Sequence, residues 1–171
     1  KEIDLACITF TEGQQNPDFS YIANVKEEIV LGVPASHPLA YLAGENSAER
    51  LQEVDLSLFK DAQFLLAAPE TKSSDIEAEI FRTAGFQPKV LYTSSGSKTR
   101  IRTVKAQLAC AFFPAFYIDP EAPIVYFTVK PHICWYSCVA YRKGSYLSVP
   151  ELVLIDLIRK YNARVSNFKS I

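Results

Sequence analysis

The sequence predicts an α/β fold with mostly parallel sheets, and three observations carry that expectation. Short apolar runs suited to buried strands alternate with segments that place apolar residues at helical spacing. Residues 64–114 read as an uninterrupted β-α-β-α-β unit. The 171 residues are 49% hydrophobic and 12% aromatic, enough to fill one core or the cores of two small lobes.

The elements follow in order. Ile3 to Phe10 is a short apolar run expected as a buried, parallel strand, and a polar loop with Gly13 and Pro17 ends it. Two strands are expected next, around Tyr21 to Val25 and from Glu28 to Val33. Pro34 and Pro38 lack amide donors and stop the second of these. Glu49 to Phe59 suits a short helix or two turns, with Leu51, Val54 and Leu58 on one face. Phe64 to Ala68 is a buried strand. Ser73 or Ser74 then caps a helix, with Glu77 three residues after Ser74 as in a capping box. Ile76, Ile80 and Ala84 share a face of that helix, and Gly85 closes it. Lys89 to Thr93 is a strand, and Lys98 to Leu108 a helix that buries Ile101, Val104 and Leu108. Cys110 to Phe113, Ile124 to Val129 and Ile133 to Arg142 are strands. The helix from Val149 to Tyr161 turns Leu152, Ile155 and Ile158 inward.

Charge and composition remove several function classes. With 18 Lys+Arg against 19 Asp+Glu the net charge is −1, which argues against a generally basic nucleic-acid surface. A 22% charged fraction with 6 Gly and 10 Pro argues against disorder. No apolar run approaches the length of a bilayer span, and no signal peptide is read at the start. The chain opens at Lys1 with a strand pattern under way by Ile3 and holds no Met, so it reads as a piece of something longer.

Cys7, Cys110, Cys134 and Cys138 each sit in apolar runs and are expected as buried thiols in a reducing, cytoplasmic setting. Cys134 and Cys138 on one strand lie roughly 13 Å apart, too far for a disulfide. A redox or catalytic role for Cys7 or Cys110 is the alternative. His37 and His132, the two histidines, show no metal spacing and no catalytic partner, and they are expected in structural or solvated roles. The six glycines form no Gly-x-Gly phosphate loop, and no Gly-x-Ser-x-Gly elbow is present. No enzyme, metal or cofactor is expected. Lys98, Arg100, Arg102 and Lys105 lie on one helix without an acid and are expected on its solvated face, with anion binding as the alternative.

Two strand-to-helix turns stand out. Thr71-Lys72-Ser73-Ser74 and Thr93-Ser94-Ser95-Gly96-Ser97 are hydroxyl-rich and follow strands expected to be parallel. Open α/β sheets bind ligands there, where free amides and the helix dipole favour an anion. Ordinary capping needs only one such residue per helix.

The order of the segments resembles the effector-binding domain of LysR-type transcriptional regulators. Ile3-Asp4-Leu5-Ala6-Cys7-Ile8 begins the match, and Glu28 to Val33 followed by Pro34-Ala35-Ser36-His37-Pro38-Leu39-Ala40 is its most specific part. Asp55-Leu56, Gln63 to Ala67, Phe81 to Pro88, Ile101 to Pro114, Tyr141 to Gly144 and Leu147-Ser148 continue it in register. The family's Val-x-x-Gly-x-Gly is Val104-Lys105-Ala106-Gln107-Leu108-Ala109 here, so that turn must close without glycine.

The resemblance implies a two-lobed, type 2 periplasmic-binding-protein-like α/β fold with an incomplete first lobe. Residues 1–31 and 139–171 would be the remainder of lobe I and residues 32–138 lobe II. A winged helix-turn-helix, a linker helix and the opening of lobe I would precede Lys1. It further implies a small effector between the lobes, lined by Cys7, Thr9, Thr71, Lys72 and Ser73, with Ser94, Ser95 and Pro114 beside them. Lys72 is the ready cation, so an anionic effector is expected. The function implied is effector sensing in a homodimeric or tetrameric regulator that meets DNA only through the preceding part. The competing reading is a solute-binding protein of a transport system with the same fold. A third is an enzyme using Cys7.

Overall fold

A computed structural model describes residues 3–44 and 50–168, without the side chains of 23, 24 and 163–168. The chain divides into two compact units, Lys1–Glu27 with Cys134–Ile171, and Glu28–Ile133.

In the first unit, β1 (Ala6–Thr11) pairs antiparallel with β8 (Cys134–Arg142), in a register that sets Cys7 opposite Val139 and Thr9 opposite Ser137. The first part of β2 (Phe19–Pro34) belongs here as well. Phe10 stacks on Tyr136 at 5.3 Å between ring centroids and meets Tyr21 edge-on at 5.3 Å. The helix α3 (Val149–Phe168) starts where Glu151 accepts hydrogen bonds from the Ser148 amide and hydroxyl, satisfying a first-turn donor. On α3 Ile155 is buried and Ile158 half-buried, whereas Leu152 is exposed, so the covered stripe is narrower than the spacing implies.

The second unit holds the aromatic core. The latter part of β2 pairs antiparallel with β6 (Ala111–Pro114) and with β7 (Ile124–Thr128), and the two-residue β3 (Gln52–Glu53) runs parallel to β7. The strands β4 (Gln63–Ala67) and β5 (Lys89–Ser94) pair in parallel, with a further parallel bridge from Phe64 to Cys110. Two helices make the crossovers such pairing requires, α1 (Lys72–Ala84) and α2 (Ser97–Lys105). Val30, Leu31, Val33, Phe64, Leu65, Ile80, Val104 and Phe127 are fully buried. Phe81 stands edge-on to both Phe64 and Phe112, at 5.0 and 5.7 Å.

Several local expectations are corrected. Among the described residues the parallel pairings are β3–β7, β4–β5 and the Phe64–Cys110 bridge, whereas β1 with β8 and β2 with β6 and β7 are antiparallel, so the sheets are mixed. β1 is half-buried rather than buried, and the two expected strands after it are one continuous β2. Of the short helix or two turns expected over 49–59, the structure forms β3 and a 3₁₀ turn, Leu56–Phe59, which Asp55 caps by accepting from the Ser57 amide at 2.9 Å; Glu49 lies outside the described residues. Leu58 is exposed as a result, while Val54, Leu56 and Phe59 are buried.

At the end of α2 the helix stops at Lys105, not Leu108, and Leu108 is exposed. Gln107 adopts φ +62°, the left-handed conformation that a glycine takes without strain. Its side chain holds it there, accepting from the Ser36 amide at 2.9 Å and donating to the Pro123 carbonyl at 2.8 Å.

Candidate functional site

The starts of α1 and α2 hold the polar cluster of the second unit. Thr71, not Ser73 or Ser74, caps α1: its hydroxyl accepts from the Ser74 amide at 3.2 Å, and Ser74 Oγ accepts from the Thr71 amide at 3.3 Å. Because Ser74 closes the box, two side chains expected as caps are released for other work. Ser73 Oγ accepts from Arg100 Nη2 at 3.5 Å. Glu77 turns inward instead of back to the helix start, accepting from the Ala67 amide at 2.7 Å and from Arg100 Nη1 at 2.8 Å.

Arg100 overturns the expectation that the whole basic cluster of α2 is solvated. Its side chain is 3% exposed and that of its partner Glu77 4%. The position falls one residue before Ile101 and four before Val104, on the edge of the apolar face, so the guanidinium passes beneath both helix starts. Nη2 reaches Ser97 Oγ at 3.3 Å, a long contact like that to Ser73, and Nε is buried without a hydrogen-bond partner among the described residues. The helix start at Gly96 has no side-chain cap, and Ser94 Oγ instead accepts from the Gly96 amide at 3.2 Å. Burial pushes the Glu77 carboxyl up to about 7, against the Ala67 amide and Arg100, which both favour the ionised form.

Ser73, Glu77 and Arg100 meet Ile29, Phe113 and Pro114 around a cavity of about 10 Å³, room for a single water. Of the expected effector residues, the structure therefore joins Ser73 and Pro114 in one cavity. In the first unit Cys7 and Thr9 line a depression of about 310 Å³ with Ser137, Val139 and Asn162. Thr71 is consumed in capping, Lys72 and Ser95 are exposed, and Ser94 serves the α2 turn; these four do not line either space. Sequence reasoning missed Glu77 and Arg100 as a pair. Their signal was a charged residue on the inward face of each of two successive helices.

The remaining candidates resolve separately. Cys7 is exposed, contrary to expectation, because it lies on the less covered side of β1, whereas Cys110 and Cys138 are buried and Cys134 half-buried. None of the four is in a disulfide, and burial pushes the Cys110 thiol up to about 12. His37 stacks on Phe59 at 5.3 Å and accepts from the Leu39 amide through Nδ1, and desolvation lowers its pKa. His132 lies between two carboxylates, Nδ1 2.7 Å from Glu28 Oε1 and Nε2 2.6 Å from Glu53 Oε2. Both contacts are hydrogen bonds only when both ring nitrogens carry protons, so the hydrogen bonds to Glu28 and Glu53 raise the pKa. Among the described residues no His, Cys, Asp or Glu groups gather in a way that could hold a metal, and no helix is long and apolar enough to cross a membrane.

Two compact units, the second with crossover helices whose hydroxyl-rich starts lie over a buried cation, make a mixed α/β protein of the two-lobed, periplasmic-binding-protein-like class. The chain belongs to the LysR substrate binding domain family, which matches residues 1–163. Solved structures agree on the fold. The effector binding domain of QuiR in complex with shikimate superposes with a TM-score of 0.71 at 18% identity, over 94% of this chain and 72% of that one. The regulatory domain of Synechocystis PCC6803 CcmR in complex with 2-PG gives 0.69 at 15% identity, over 94% and 74%. The Corynebacterium glutamicum OxyR C206 mutant gives 0.65 at 18%, over 98% of this chain but 51% of that longer one. A comparison with curated proteins finds no match. The protein is thus a ligand-sensing regulatory domain of the LysR type.

Proposed function

We propose that the second unit binds a small anionic effector at the starts of α1 and α2, and that this occupancy regulates transcription without chemistry at the site. The supporting observation is the convergence of the Ser73 and Ser97 hydroxyls on Arg100, under an α2 start that has no side-chain cap. Helix starts present free amides and a positive dipole end, and a buried guanidinium behind them adds full charge. Thr71, Lys72, Ser94 and Ser95 form the rim of this site, with Lys72 the exposed cation beside it. For the first unit, the corresponding proposal is the depression lined by Cys7 and Thr9. Residues 1–31 and 139–171 are assigned to lobe I and 32–138 to lobe II, bounds that differ by a few residues from those of the two compact units.

Regulation by such a domain requires only that the effector bind one arrangement of the protein better than another. The full-length regulator is assigned to the cytoplasm, as a homodimer or tetramer that reads DNA through a part other than this domain. A thermal-shift screen of small carboxylates and phosphates tests the site. At least one anion is expected to raise Tm, and Ser73→Ala to reduce that rise. A Ser73→Ala protein that keeps every ligand response intact would refute the assignment.

A further inference from the structure

We propose that Arg100 is the residue through which the site selects an anion, and that Glu77 takes up one proton as that anion binds, so that binding tightens as the pH falls. This rests on the reading that the ligand docks at the starts of α1 and α2.

The guanidinium is poorly used where it lies. Only one of its contacts is short, Nη1 to Glu77 Oε1 at 2.8 Å; Nη2 has two long ones and Nε none among the described residues. An arginine cannot lose its proton, so burying it with unfilled donors is costly unless something else completes the set. A pair serving stability alone would gain more from matched, short hydrogen bonds. The two long contacts of Nη2 run to the hydroxyls of Ser73 and Ser97, which are themselves half-buried at the two helix starts, so the buried guanidinium lies directly behind them. Since the cavity below holds at most one water, the anion sits at this rim, with Nη2 as the charged donor behind the hydroxyls.

Charge balance then requires the proton. Among the described residues that line the cavity there is no other charge: β2 and β6 present apolar residues, β4 presents the Ala67 amide, α1 presents Glu77, and α2 presents Arg100. Lys72 and Asp75 on the first turn of α1 and Lys98 on α2 are exposed to solvent. With no ligand the ionised pair sums to zero. An incoming monoanion at the rim would place a negative charge within reach of the buried pair, and protonation of the Glu77 carboxyl from solvent offsets it and frees the charge of Arg100 to act on the anion. Oε1 keeps its bond from Arg100 in the protonated carboxyl. The carboxyl is already raised to about 7 by burial, so the proton is available near neutral pH.

The test titrates the 171-residue chain with nitrate and with shikimate, both monoanions at these pH values, at matched ionic strength, at pH 5.5 and pH 8. Binding is followed by NMR at the backbone amides of Ser73 and Ser97 and at the Arg100 Nε–H. The expected result is saturable shifts at all three, with affinity about five- to tenfold higher at pH 5.5, the ratio that uptake of a single proton allows. Glu77→Gln, which keeps both acceptor and neutrality, should bind as the wild type does at pH 5.5 and show no dependence on pH. If that variant does not fold, the wild-type comparison at the two pH values decides. Shifts at Ser73 and Ser97 with equal affinity at both pH values would overturn the role of Glu77 and Arg100 while leaving the site standing. No shift at those amides with either anion would overturn the site itself, and this inference with it.

Discussion

Removing either partner of the Glu77–Arg100 pair should destabilise the protein by unequal amounts, and the structure fixes which is worse. Glu77→Leu leaves a 3% exposed guanidinium with no counter-charge and no means of shedding its own. Breaking a buried pair in this way costs about 3–5 kcal/mol. Arg100→Met leaves a carboxyl that is raised to about 7 even beside the arginine and that rises further without it. At pH 6 that carboxyl is neutral and still accepts from the Ala67 amide at 2.7 Å, so the cost is about 1–2 kcal/mol, mainly lost packing and one hydrogen bond. The double variant removes both charges and should lie within about 1 kcal/mol of the wild type or above it. Urea unfolding at pH 6, with the m-value unchanged across the set, measures all three. An Arg100→Met protein as unstable as Glu77→Leu, or a double variant showing the sum of the two losses, would refute the reasoning. The same carboxyl sets a pH window. Its folded pKa lies above the unfolded value of 4.5, so its contribution is complete below about 4.5 and is lost as the pH climbs to about 7. Glu77→Leu should be flat across that window.

Three further outcomes follow from single sites. His132 has a folded pKa raised by Glu28 and Glu53, so its contribution is present below pH 6.5 and lost as the pH rises through the folded value; Tm of His132→Gln should match the wild type more closely at pH 8.5 than at pH 6, and a constant gap would count against the imidazolium. Gln107→Ala keeps the left-handed backbone and loses the bonds to Ser36 and Pro123, whereas Gln107→Gly loses the bonds but relieves φ +62°; alanine should be the less stable by about 1 kcal/mol in urea unfolding, and the reverse order would deny the strain. Iodoacetamide at pH 8 should modify exposed Cys7 well before buried Cys110, whose thiol is pushed up to about 12, as read by mass spectrometry of the native protein; equal rates would contradict the burial.

Strand and helix positions were legible wherever local rules suffice. The α1 face of Ile76 and Ile80, the left-handed stop at Gly85 and the strand running into Pro114 all appear as expected, because spacing and capping residues act over one or two turns. Over 49–59 the spacing left a short helix or two turns open, and Asp55 decides in favour of a 3₁₀ turn at its end. Ser73 was expected from the resemblance and a hydroxyl-rich turn, and Pro114 from the resemblance alone; their meeting in one cavity was not readable from either segment.

By itself the sequence determined the family, the α/β class and the two helix starts, since these depend on patterns close together along the chain. Tertiary structure decided the pairing directions, the left-handed role of Gln107 and, above all, the fate of charge. Arg100 and Glu77 stand 23 residues apart, each a charged residue on the inward side of its own helix with no ion-pair partner on that helix among the described residues. Only when β4 and α2 close over α1 does each become the other's counter-charge, because burial removes the water that would otherwise solvate both.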